Sequence, residues 1–199
     1  MLEIDLSTPH SYKIEELSEL PGTGGLSIPL LYIPQPKSRP EHNGLWLKLT
    51  PATGKSWIGV FAFLFESPRS FSGVVSTLDA DFVCVISRCA GYIVKVNEPG
   101  IWERIAVPVL DVRLLPEHQL LVLSGYTELV AYGKNGLAWR SPRLCWDELK
   151  IVNVTHSTIE GTGYDPTNSH NSESRFAVDI GTGRSLLPCP ATIDGMPAW

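Results

Sequence analysis

The chain is 199 residues long, enough to bury a sizeable core, and its 43% hydrophobic and 19% charged residues make a globular rather than a disordered composition. The net charge of −5 sits mostly at the start, where residues 1–21 set Glu3, Asp5, Glu15, Glu16 and Glu19 against Lys13, a local −4 that leaves −1 for the remainder. With no basic stripe to track phosphates, nucleic acid is not an expected partner, and no apolar run approaches the ~20 residues of a membrane span.

The opening residues Met1-Leu2-Glu3-Ile4-Asp5 carry neither a basic region nor an apolar stretch of secretory type. The expected setting is cytoplasmic, with reduced thiols. The cysteines agree. Cys84 and Cys89 are spaced C-x4-C, and Cys145 and Cys189 stand apart. Zinc knuckles need closer pairs, so these read as small buried hydrophobes.

In chain order, residues 12–20 suggest a short helix. Ile14, Leu17 and Leu20 recur on one face, Ser11 can cap, Glu15 and Glu16 suit the N-terminal dipole, and Pro21-Gly22 ends it. At this length it must dock on something. Residues 28–40 follow with Pro29, Pro34, Pro36 and Pro40, which excludes a central strand and leaves an extended connector or an edge segment. Runs at 45–49 and 57–65 flank the turn Pro51-Ala52-Thr53-Gly54.

From residue 71 three units share one plan of four short strands. The first offers 71–78, 82–86, 92–96 and 101–105, and the second 109–115, 120–123, 129–132 and 137–140. The third offers 149–154, 158–159, 176–180 and 184–187, interrupted by the polar insertion 165–174. Short loops between successive strands imply antiparallel meanders. Local signals recur at this spacing. Gly91-Tyr92, Gly125-Tyr126 and Gly163-Tyr164 are separated by 34 and 38 residues, and Ser67-Pro68-Arg69 is matched by Ser141-Pro142-Arg143. Residues 44–65 supply only two strands of a further unit, which leaves 45–49 as an unpaired edge that invites another chain.

The turn Ala177-Val178-Asp179-Ile180-Gly181-Thr182-Gly183 resembles the A-x-D-x-x-T-G turn of quinoprotein-type (PQQ-like) β-propeller blades, and Asn135-Gly136-Leu137-Ala138-Trp139 is similar to the same turn with its following tryptophan. The resemblance implies an all-β domain of blade-like repeats, arranged as a minimal or open propeller or as a sandwich. It brings no quinone chemistry, and no cofactor is expected. The expected layout is a helix and proline-rich connector over 1–40, the repeat-built domain over 41–190 and a tail over 191–199. Trp102 and Trp139 follow matching turns and should occupy equivalent buried places, with Trp57 in the corresponding position of the partial unit.

Chemistry is sparse. Gly54-Lys55-Ser56 has Leu49 where a phosphate-binding loop needs glycine, and a strand where it needs a helix. No nucleophile elbow and no H-E-x-x-H occurs. The histidines are scattered and read as surface or turn residues. The insertion places Asp165, His170 and Glu173 on one loop, with His156 and Glu160 on the strand before it, and this is the one place where a divalent metal of a hydrolase or lactonase-like enzyme could sit. The stronger reading follows from the meander. Second-to-third turns and exit turns share one end, so Arg69, Tyr92, Tyr126, Arg143, Trp146 and Tyr164 should gather there. Tyr, Trp and Arg are the residue types of interaction hot spots. The expected function is therefore a non-catalytic binding module, engaging a protein partner or a second copy of itself.

Overall fold

A computed structural model of the protein describes residues 2–18, 28–35, 43–65, 70–167 and 172–190. The chain forms two compact units, Met1–Pro108 and Val109–Trp199. Among the described residues the regular structure is strand, apart from one 3-10 turn, and no helix is long and apolar enough to cross a membrane.

Nine strands build the first unit: β1 (Glu3–Asp5), β2 (Tyr12–Glu16), β3 (Leu30–Ile33), β4 (Gly44–Pro51), β5 (Trp57–Ala62), β6 (Gly73–Ser76), β7 (Phe82–Ser87), β8 (Ala90–Lys95) and β9 (Trp102–Arg104). They form two sheets, ordered β2-β4-β5-β3 and β1-β6-β7-β8-β9. β6 to β9 are the antiparallel meander that the short loops imply. Along β4 the period of two is complete: Leu45, Leu47, Leu49 and Pro51 are buried and the residues between them are not.

Residues 12–16 are a strand, not the expected helix. Tyr12 is buried and Ile14 half-buried, while Lys13, Glu15 and Glu16 face outward or along the rim, so the segment satisfies a period of two as well as one of 3.6. Pairing decides between them. Isolated helices this short are marginal, whereas β2 lies antiparallel on β4, and Lys48 bonds Glu15 across the pair at 3.2 Å. Ser11 caps no helix; its hydroxyl donates to the Asp81 carboxylate at 2.7 Å. Residues 19–27 lie outside the described set.

The same strand removes the expected open edge at 45–49. β4 is internal, flanked by β2 and β5. β3, from the proline-rich segment, is an edge strand running parallel to β5. β1 runs parallel to the fully buried β6 and covers its outer side. Both N-terminal edge strands are short and carry acids at alternate or adjacent places (Glu3 and Asp5, Glu15 and Glu16), which discourages further pairing.

The second unit has β10 (Asp111–Leu115), β11 (Leu120–Ser124), β12 (Leu129–Gly133) and β13 (Gly136–Arg140) in one sheet, with the 3-10 turn Pro116–His118 between the first two. A second sheet holds β14 (Asp147–Val154), β15 (Thr158–Tyr164) and β16 (Glu173–Asp179). Both are antiparallel meanders. The expected strand 184–187 is reduced to one bridge, Val178 to Ser185. Leu186 and Leu187 are exposed, and Pro188 and Pro190 cannot extend a ladder. The preceding turn holds itself together: the Asp179 carboxylate accepts from the Thr182 amide at 2.9 Å and hydroxyl at 2.6 Å.

Each unit has its own core, and in each a tryptophan ties one sheet to the other. Trp57 on β5 donates its indole N–H to the Val96 carbonyl at 2.8 Å, just past β8. Trp139 on β13 donates to the Ile180 carbonyl at 2.7 Å, just past β16. Both rings are buried. Trp102 is not the counterpart of Trp139 as expected. It is half-buried and packs edge-on against Tyr92 at 6.3 Å. Gly183 must be glycine twice over, since its φ is +71° and a Cβ would lie 2.6 Å from the Trp139 ring.

Two outcomes follow. Trp139→Ala removes a buried ring and orphans a carbonyl, and should cost about 3–5 kcal/mol in denaturant unfolding, well above the loss from Trp102→Ala. Of the four free cysteines, Cys84, Cys89 and Cys145 are buried and Cys189 exposed. Burial pushes the Cys84 thiol up to about 12, and burial, reinforced by the Asp147 carboxylate, does the same for Cys145. Since the thiolate is the reactive form, a thiol reagent at mildly alkaline pH should modify Cys189 rapidly and the other three only after unfolding.

Candidate functional site

The segment leaving β13 is pinned almost residue by residue. Ser141 donates its amide to Leu129 O at 2.9 Å and its hydroxyl accepts from the Leu129 amide at 3.0 Å. Leu144 bonds Thr127 O at 2.7 Å, and Trp146 bonds Tyr164 O at 2.7 Å. The Tyr126 carbonyl accepts from the Cys145 thiol at 3.5 Å and the Leu149 amide at 3.4 Å. Leu144, Cys145 and Leu149 are buried in the second core. Arg143 and Trp146, on either side of the buried Leu144 and Cys145, are half-buried, with the guanidinium 4.8 Å from the indole ring.

Four of the six residues expected to form an interaction face are therefore brought together within the second unit: Tyr126, Arg143, Trp146 and Tyr164. The two tyrosines are exposed on either side of the pinned segment, at 40% and 41%. Tyr92 does not join them. It is 1% exposed, and its hydroxyl donates to Ala62 O at 3.0 Å. The reason is turn length. β7 and β8 are joined by Arg88 and Cys89 alone, both with positive φ, so Gly91 and Tyr92 already belong to the strand and point into the core. Between β11 and β12 the loop is longer, and Tyr126 stays in it. Arg69 lies outside the described residues.

The start of β14 forms a ridge between two hollows. One, of about 590 Å³, is edged by Tyr126 and lined by Asp111, Arg113, Asp147, Glu148 and Lys150 among others. A smaller one, of about 110 Å³, is edged by Tyr164 and lined by Glu148, Lys150, Thr162 and Glu173. Glu148 and Lys150 belong to both. The pairing of β14 with β15 slips between Asp147 and Lys150, and Glu148 has a left-handed backbone, φ +55°. A non-glycine residue in that region costs about 1–3 kcal/mol, and such strain concentrates where a chain must present particular side chains. The Asp147 carboxylate, accepting from the Glu148 amide at 2.7 Å, holds the bend.

Of the alternative metal residues, Asp165 is buried and its Oδ1 accepts from the Thr167 amide at 2.9 Å and hydroxyl at 2.6 Å, so this oxygen organises its own turn. Glu173 is exposed, paired in register with Tyr164. His170 lies outside the described residues. The ridge itself escapes sequence reading, because nothing about Glu148 as a residue type announces a left-handed backbone.

No family model matches the chain, so the quinoprotein-type resemblance extends no further than the turn residues that carry it, and no curated protein matches either. Among solved structures, the N-terminal domain of Nup159 is similar at 16% identity and a TM-score of 0.39, over 99% of this chain and 56% of that one. A chain of the S. cerevisiae complex of Dbp5 with Nup159, Gle1, IP6 and ADP is similar at 9% identity and a TM-score of 0.28, over 92% of this chain and 69% of that one. This chain thus spans about half the length of the Nup159 domain, and neither superposition is close enough to carry fold or function across.

Gly163 tests the seating of the pinned segment. A Cβ there would lie 2.4 Å from Cys145 Cβ and 2.5 Å from its Sγ. Gly163→Ala should therefore displace the segment and cost about 1–3 kcal/mol of stability, read by chemical denaturation.

Proposed function

We propose that the protein is a non-catalytic binding module whose partner, another protein, docks on the β14 ridge and the two tyrosines beside it. The observation that carries this reading is the strained bulge at Glu148, set between two aromatic-edged hollows and held by a densely bonded segment. Backbone strain of this kind clusters at ligand clamps and binding sites. The residue types suit docking: the exposed Tyr126 and Tyr164 offer apolar area with polar tips, and Arg143 is already held over the half-buried Trp146 ring. The hollows are edged by the carboxylates of Asp111, Asp147, Glu148 and Glu173 against the two cations Arg113 and Lys150. A partner segment bearing lysine or arginine beside aliphatic residues complements that balance. The proposal includes a reducing, cytoplasmic setting, in keeping with four free thiols.

Self-association is the second form of the same proposal, with another copy of the chain as occupant. The wild-type protein and the Tyr126→Ala, Arg143→Ala double variant are compared by sedimentation velocity and by quantitative retention of cell proteins on immobilised protein. Retention or self-association should fall at least about tenfold in the double variant, with little change in melting temperature. Equal retention and equal association by both proteins would show that this surface is not the interface.

A further inference from the structure

We infer that Glu117, His118 and His156 form a binding site for a divalent transition-metal ion of the zinc type. One ligand atom from each, a carboxylate oxygen and two imidazole nitrogens, lies within 4.8 Å of the other two. The inference is independent of the docking surface.

The site arises from the meander. Glu117 and His118 belong to the turn between the first and second strands of one sheet, β10 and β11. His156 belongs to the corresponding turn of the other sheet in the same unit, between β14 and β15. The two imidazole rings meet with centroids 5.7 Å apart and planes tilted by 50°.

Both turns are rigid. Pro116 opens the first, Gln119 closes it with a left-handed φ of +53°, and the Gln119 amide and side-chain amide both donate to Pro116 O, at 3.1 and 2.8 Å. In the second, the Thr155 hydroxyl accepts from the Ser157 and Thr158 amides at 3.3 and 3.0 Å, and the Thr155 amide donates to Thr158 O at 2.8 Å. The two backbones are therefore held in place by their own turn bonds. Glu117 and His156 are exposed and His118 is half-buried. Among the described residues, no ion pair engages any of the three.

Donor type selects the ion. Calcium and magnesium take oxygen ligands, six or more for calcium, whereas two imidazoles and one carboxylate suit zinc and its neighbours. Tetrahedral zinc, with bonds of about 2.0–2.1 Å, sets ligand atoms roughly 3.3 Å apart. Rotation of the exposed Glu117 and His156 side chains covers the remaining distance. Three protein ligands leave the fourth position to water. The bound ion would join the two sheets through their loops.

Isothermal titration of the tag-free full chain with zinc chloride at neutral pH tests this, together with melting curves in zinc and in calcium. One zinc ion per chain should bind and raise the melting temperature, and calcium at the same concentration should not. His118→Ala and His156→Ala should each weaken zinc binding at least about tenfold, and Glu117→Gln by less. Melting without zinc should be unchanged in His156→Gln, a size-preserving control for folding. Cobalt substitution should give a visible absorption band that His156→Gln abolishes. Absence of zinc binding at millimolar ion, equal stabilisation by calcium, or unchanged affinity in both histidine-to-alanine variants would overturn the assignment.

Discussion

The indole N–H of a buried tryptophan, aimed at a carbonyl just beyond a strand of the neighbouring sheet, β8 in one unit and β16 in the other, is the contact on which each unit depends. Two sheets packed face to face slide readily when only apolar side chains separate them, since hydrophobic contact has no direction. A hydrogen bond buried between them does have one. Displacing Trp57 from Val96 O, or Trp139 from Ile180 O, leaves a donor and an acceptor unsatisfied in the core, at about 1–3 kcal/mol for each group. The ring supplies area and the N–H supplies register. Gly183 shows how closely the surroundings fit, because its missing side chain is the space that the Trp139 ring fills.

The second unit's surface follows from the same restraint. With its sheets locked, the chain between β13 and β14 crosses a fixed gap, and its backbone finds partners at Leu129, Thr127, Tyr126 and Tyr164. That leaves little freedom for the residues that follow, and the left-handed Glu148 is where the path is made to meet the register of β15. Strain there is tolerated because the buried Leu144, Cys145 and Leu149 hold the chain on both sides.

Much of the strand order was legible in the sequence, because meanders need only local signals: alternating apolar residues and turns of Gly, Pro and Asn. β11 and β12 match expectation to within a residue. What failed were places where two periods fit equally well, or where a distant strand decides. Ile14, Leu17 and Leu20 recur at helical spacing while Tyr12 and Ile14 alternate as in a strand, and the pairing with β4 decides between them. The gathering of Tyr126, Arg143, Trp146 and Tyr164 was legible from the alternation of turn ends. The burial of Tyr92 was not, because it depends on a two-residue turn built from Arg88 and Cys89, neither of which advertises positive φ. The meeting of His118 with His156 was within reach of the same alternation, applied to the opposite set of turns.

The pairing of β1 with β6 couples residues seventy apart, Glu3 with Gly73 through Asp5 with Val75, whereas every strand pair of the second unit joins sequence neighbours. During synthesis the two units therefore differ in when they can complete. Strands β10 to β13 can zip as they emerge, each on the one before. β1 must wait, unpaired, until β6 has left the ribosome, carrying the entropy of a long unclosed loop meanwhile. The first unit is thus the slow folder, although it is made first, and its acidic strand β1 spends that interval as free chain whose charge discourages pairing elsewhere.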